Sequence, residues 1–222
     1  VFAPSAETAV RTTDWRAAKR VLSSRDYLAT FMRAELSRYR EQLVRGKPSD
    51  LELPAIETPS GFRSRIPNPI DLYLGSGAVA SEEGQIAVLL GEAGQGKTYL
   101  SEWVAGKLAD TAQDIFPVLV SARQWVGMPS VEHLTLEEVI VNSFRAFGCP
   151  VRWAEGNEKM FLRVAFRLGL FRLIFDGFDE FALQSGSRVS TRGVLDSLVG
   201  LARDTGARML ITARGSFWKG QV

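Results

Sequence analysis

The residues with the most specific chemical potential are Gly91, Glu92, Ala93, Gly94, Gln95, Gly96, Lys97 and Thr98, a G-x-x-x-x-G-K-T run. Glycine at 91, 94 and 96 allows a backbone whose N–H groups all turn inward, because a Cβ would block either the φ angle or a close approach. Such a loop suits a chain of phosphates. Lys97 can reach the β- and γ-phosphates, and the Thr98 hydroxyl is placed to ligate Mg2+. The stretch through Tyr99 is therefore the expected contact surface for a nucleoside triphosphate. A second constellation, Asp176-Gly177-Phe178-Asp179-Glu180, supplies carboxylates. Asp176 can hold Mg2+ through a water opposite Thr98, while Asp179 and Glu180 can orient or deprotonate an attacking water. A third element is Arg214. Its guanidinium either senses a γ-phosphate or is an ordinary solvent-exposed arginine.

These residues need elements that bring them together. The apolar run Ile86 to Leu90 precedes the glycine loop and reads as a strand; the stretch Thr98 to Ala109 follows it and reads as an amphipathic helix. That helix would aim its unpaired N–H groups and positive dipole end at the same anion. Further buried parallel strands are expected at Ile115 to Val120, at 171–175 and at Arg208 to Thr212. Asp176 and Arg214 then sit at C-terminal strand ends, where open α/β sheets bind ligands. Between the strands lie a helix opened by Thr135 with Glu138 as a capping box, a helix from Asn157 to Gly169, and a helix from Val194 to Gly206. The expected strand order places Arg208–Thr212 between the phosphate-loop strand and the Asp176 strand.

The N-terminal fifty residues read differently. Leu28, Phe31, Met32, Leu36, Tyr39 and Leu43 form one apolar helical stripe, with Ser23 or Ser24 as cap and Gly46 and Pro48 as terminators. The stripe lies either on the core or on a preceding domain. A weaker helical signal covers Asp14 to Leu22. Five prolines between 47 and 69 mark an extended linker or adapter with few strand signals. Pro69 to Gly77 either adds a small strand or contacts the nucleotide base.

Composition excludes more than it asserts. With 222 residues, 45% hydrophobic and 23% charged, the chain is an ordinary globular protein. A net charge of +2 argues neither for nor against an anionic partner, so direct nucleic-acid binding has no support here, and the basic excess of the first fifty residues reads as a solvated helix face. The single Cys149 excludes an internal disulfide framework and suits a reducing cytoplasm; the single His133 excludes a multi-histidine metal site. No apolar run approaches the roughly twenty residues that span a bilayer. Because the chain starts at Val1, it is expected to be an excerpt.

GEAGQGKT, LIFDGFDE and LITAR together resemble the NACHT family of STAND-class nucleotide switches, over about residues 66–215. The resemblance implies an α/β P-loop NTPase, a three-layer sandwich with a parallel sheet of ASCE-type order, in residues 51–222, preceded by a helical segment or adapter in residues 1–50. It further implies ATP and ADP as ligands with Mg2+, slow hydrolysis, self-association on activation, and a bacterial antiphage role. Gly177 occupies the position where most related ATPases keep a catalytic Glu, so the water-positioning task falls by resemblance to Asp179, with Glu180 nearby. The sequence GSFW after Arg214 also looks like the stretch that follows the sensor arginine in bacterial members. Family members continue into helical, winged-helix and sensor regions; with eight residues after Arg214, such effector and sensor domains, and a fifth strand, are expected outside this chain. The competing reading is a AAA-type motor, which a Glu directly after Asp176 would favour; Gly177 argues against it.

Overall fold

A computed structural model describes residues 25–49, 56–57, 63–64, 85–122, 135–149, 151, 156–184 and 191–219. A short antiparallel pair, β1 (Ile56–Glu57) and β2 (Arg63–Ser64), precedes the main sheet. It stands where the proline content pointed to an extended linker or adapter with few strand signals.

The main sheet contains β3 (Gln85–Leu90), β4 (Phe116–Ser121), β5 (Phe171–Asp176) and β6 (Arg208–Ala213). They pair in the order β3-β6-β5-β4, all parallel, with the arginine strand between the other two functional strands as expected. The cause is legible in composition: β5 and β6 are apolar runs buried on both faces, which only a helix-covered parallel sheet provides. Phe171 anchors the base of the sheet, its ring centroid 5.5 Å from Phe166, 5.8 Å from Phe144 and 6.4 Å from Phe116.

The N-terminal stripe lies on this core. It forms two helices, α1 (Arg25–Glu35) and α2 (Ser37–Arg45), interrupted at Leu36, rather than one. Leu28, Met32, Leu36, Tyr39 and Leu43 are all buried, and Phe31 is half-buried. The helix after the glycine loop, α3 (Lys97–Thr111), departs from the amphipathic expectation. Leu100, Ser101, Trp103, Val104, Ala105, Gly106, Leu108 and Ala109 are all buried, since the sheet covers one side and α2 another. A Cβ on Gly106 would stand 2.8 Å from the Leu43 carbonyl oxygen, so the glycine sets how closely α2 approaches. Arg40 fastens the far end of α3 by donating to the carbonyls of Ala109 at 2.6 Å, Ala112 at 3.0 Å and Gln113 at 2.9 Å.

The remaining helices are α4 (Leu136–Ala146), α5 (Glu158–Arg167), α6 (Phe178–Gln184), α7 (Thr191–Thr205) and α8 (Gly215–Lys219). The capping box read from Thr135 and Glu138 forms at the start of α4. No helix among the described residues is long and apolar enough to cross a membrane. The helical signal at Asp14–Leu22, the Pro69–Gly77 stretch and His133 lie outside the described residues.

Tyr39 also protects an edge. Among the described residues β4 pairs only with β5, and the Leu119 N–H donates at 2.9 Å to the buried Tyr39 hydroxyl oxygen. Burial pushes that phenol's ionisation well above its ordinary value, with the Leu119 bond opposing in part. Tyr39→Phe leaves this N–H buried without a partner, and is expected to cost about 1–3 kcal/mol in urea unfolding. An unchanged midpoint would remove the hydrogen bond from the account of how α2 is held.

Candidate functional site

The glycine loop leaves β3 at its C-terminal end. Gly94 and Gly96 hold φ values of 78° and 81°, a region that side chains with a Cβ rarely adopt. Gln95 staples the loop from within: its Oε1 accepts the Glu92 N–H at 2.7 Å and would meet a Cβ on Gly91 at 2.9 Å. The Gly91 N–H donates to the Ala213 carbonyl at 3.2 Å, tying the loop to β6. Glu92, Ala93, Gly94 and Gln95 are exposed.

Lys97 lies back along the loop and donates to the carbonyls of Gly91 at 2.5 Å and Glu92 at 2.9 Å. Among the described residues, no acceptor takes the backbone N–H groups of Gly94, Gly96, Lys97 or Thr98. Unpaired donors at a helix start, with a lysine ammonium held on the same loop, fit a polyphosphate. Tyr99 contributes elsewhere. Its hydroxyl donates to the Ser49 carbonyl at 2.7 Å and ties the segment after α2 to the first turn of α3.

Asp176 ends β5 and is 3% exposed. Its Oδ1 accepts from the Ser101 hydroxyl at 3.0 Å and the Thr212 hydroxyl at 2.9 Å. Ser101 stands three residues beyond Thr98 on α3, so Thr98 and Asp176 are brought to one place. The sequence reading missed Ser101 and Thr212. A serine in a helix and a threonine in a strand carry no motif, and only the register shows where they point. Gly177 follows at φ 75°, and a Cβ there would lie 3.1 Å from the Ala122 Cβ. A carboxylate-bearing residue at 177 would meet both strain and crowding.

Asp179 and Glu180 open α6, and Arg214 follows β6. The structure joins them. Asp179, 2% exposed, accepts the Arg214 backbone N–H on Oδ1 at 3.2 Å, and Arg214 Nε stands 2.9 Å from Oδ2. The Nε–H direction misses Oδ2, so this second contact is ionic rather than a hydrogen bond. Glu180 lies 3.6 Å from the other end of the guanidinium, and both side chains are 42% exposed. One more contact links loop and arginine segment: the exposed Glu92 carboxylate accepts from the Ser216 N–H at 3.2 Å and hydroxyl at 3.4 Å.

Residues 85–220 match the family model of the NACHT domain. No curated protein matches the chain.

The Arg214–Asp179 contact is testable as an energy. Because the guanidinium is half exposed, solvent discounts the pair, and a double-mutant cycle of Arg214→Ala and Asp179→Asn should return a coupling of about 0.2–1 kcal/mol. Strictly additive unfolding free energies would show that the two groups do not hold each other.

Proposed function

The chain belongs to the NACHT family of nucleotide-binding NTPases, and on that premise we propose that it is an ATP-binding, slowly hydrolysing switch. The observation that carries this reading is the shared position of Arg214, between the buried Asp179 and the half-exposed Glu180, at the same sheet edge as the glycine loop. A group held on one fixed and one solvent-facing carboxylate can exchange partners when a third anion arrives. The γ-phosphate is that anion in the proposal, and the state of Arg214 is the signal.

The residues divide the work as follows. Lys97 gives up the Gly91 and Glu92 carbonyls for phosphate oxygens, and the N–H groups of Gly94, Gly96, Lys97 and Thr98 close around the chain of phosphates. Thr98 and Asp176 would hold Mg2+, which when bound supplies positive charge against the β- and γ-phosphates. Asp179 and Glu180 position the attacking water once Arg214 turns to the phosphate; Gly177 has no side chain to do so. Slow turnover fits a site whose proposed water-positioning carboxylate begins engaged in an ion pair.

The proposal extends to exchange of ADP for ATP as the trigger of self-association, with effector and sensor domains outside these residues. A cytoplasmic setting and a bacterial antiphage role belong to it as well; their support is the family alone.

Lys97→Ala tests the binding half. Removing two charge-assisted hydrogen bonds should weaken a fluorescent ATP analogue about a hundredfold or more. The melting temperature should stay unchanged, because among the described residues the ammonium bonds only to its own loop. Wild-type affinity in the folded variant would mean that the loop is not the site.

A further inference from the structure

Asp176 carries an asymmetry that its motif does not explain. Two buried hydroxyls, Ser101 and Thr212, both 0% exposed, converge on the same oxygen, Oδ1, at 3.0 Å and 2.9 Å. Oδ2 accepts no hydrogen bond among the described residues, and it is not sealed from the surface. The direction of the Thr212 hydroxyl is fixed as well. Its oxygen accepts the Gly177 N–H at 3.0 Å, so its proton is left for the carboxylate.

We propose that Ser101 and Thr212 are positioning residues that commit one oxygen of Asp176 and present the other to the divalent cation of the bound nucleotide. This rests on the nucleotide-site reading above and adds what makes the carboxylate selective in its orientation. The torsion that turns a carboxylate about its own axis is broad and roughly two-fold, so a lone Asp176 would sample many orientations. Two donors on one oxygen remove that freedom. The geometry resembles the outer-shell partners of metal ligands, whose loss typically weakens metal binding about 10–100-fold.

The placement of the two donors gives the brace a second consequence. Ser101 belongs to α3, one turn from Thr98, and Thr212 stands two residues before Arg214 on β6. A cation drawing on Asp176 is thus connected through single hydrogen bonds to the helix of the phosphate loop and to the strand of the arginine. Both hydroxyls lie too deep to meet the nucleotide themselves, so the effect must pass through Asp176.

The test is the Mg2+ dependence of fluorescent ATP-analogue binding, measured on folded protein with EDTA as the metal-free reference. Ser101→Ala and Thr212→Val should each raise the Mg2+ concentration for half-maximal binding about tenfold. Affinity in EDTA should stay at the wild-type value. Thr212→Ser, which keeps the hydroxyl, should restore the wild-type Mg2+ requirement, whereas a packing role would leave it as impaired as Thr212→Val. If Thr212→Val does not fold, Ser101→Ala decides alone. A Mg2+ requirement unchanged in Ser101→Ala, or a loss of affinity equal in EDTA and Mg2+, overturns the brace while leaving the nucleotide site standing. Failure of the wild-type protein to bind the analogue under either condition removes the nucleotide site, and the brace falls with it.

Discussion

Parallel pairing of β3, β6, β5 and β4 delivers every C-terminal strand end to one edge, and the register decides which residues meet there. Leu90 stands opposite Ala213, so Gly91 and Arg214 leave the sheet side by side. Phe175 stands opposite Ile211, so Asp176 meets Thr212. A slip of one residue would turn each of these side chains to the other face. The buried apolar faces of β5 and β6 forbid that slip, and core packing thereby sets the site.

Two kinds of anchoring coexist at this edge. Asp176 and Asp179 are 3% and 2% exposed and are held by donors from neighbouring elements. Arg214 and Glu180, at 42%, are not so confined. A half-exposed ion pair contributes only about 0–1 kcal/mol net, because solvent screens it and ordering long side chains costs entropy. A weak pair is what a two-state element requires: a ligand shifts an equilibrium only by its differential affinity, and a strong resting contact would demand more of it. The path outward is also short. Phe178, next to Gly177, meets Phe217 of α8 at 6.4 Å between ring centroids, and Glu92 holds Ser216 from the loop side. In the proposed switch, a change of partner at Arg214 would act on α8, which begins at the next residue.

Much of this could be read from residue types alone, and the exceptions share a cause. The four parallel strands were legible because apolar runs alternate with helical stretches, while their order was one that right-handed crossovers allow and the family resemblance implied. The Thr135–Glu138 cap was legible because its partners are three residues apart. What escaped depends on distant packing. α3 is buried on two sides because α2, some sixty residues earlier in the chain, lies on it through Gly106, leaving a strip with Glu102 and Asp110 exposed. The break at Leu36 has no glycine or proline to announce it. The grip of Arg214 on Asp179 and Glu180, and the hydroxyls of Ser101 and Thr212 on Asp176, join residues 34 to 75 positions apart that no spacing rule connects. The pair β1 and β2 was hidden by prolines that a two-residue ladder tolerates at its flanks.

Amide hydrogen exchange in the presence of Mg2+, comparing ADP with a non-hydrolysable ATP analogue, tests most directly whether Arg214 reports the γ-phosphate. Both ligands should slow exchange over residues 91–100, where the loop and the start of α3 meet the shared phosphates. Only the ATP analogue should change exchange over residues 176–181 and 213–219, as Arg214 leaves Asp179 and Glu180 and α8 responds. The same pattern with ADP and with the ATP analogue at those two segments would contradict the account: the arginine would then be a fixed structural contact, and the site a binder without a switch.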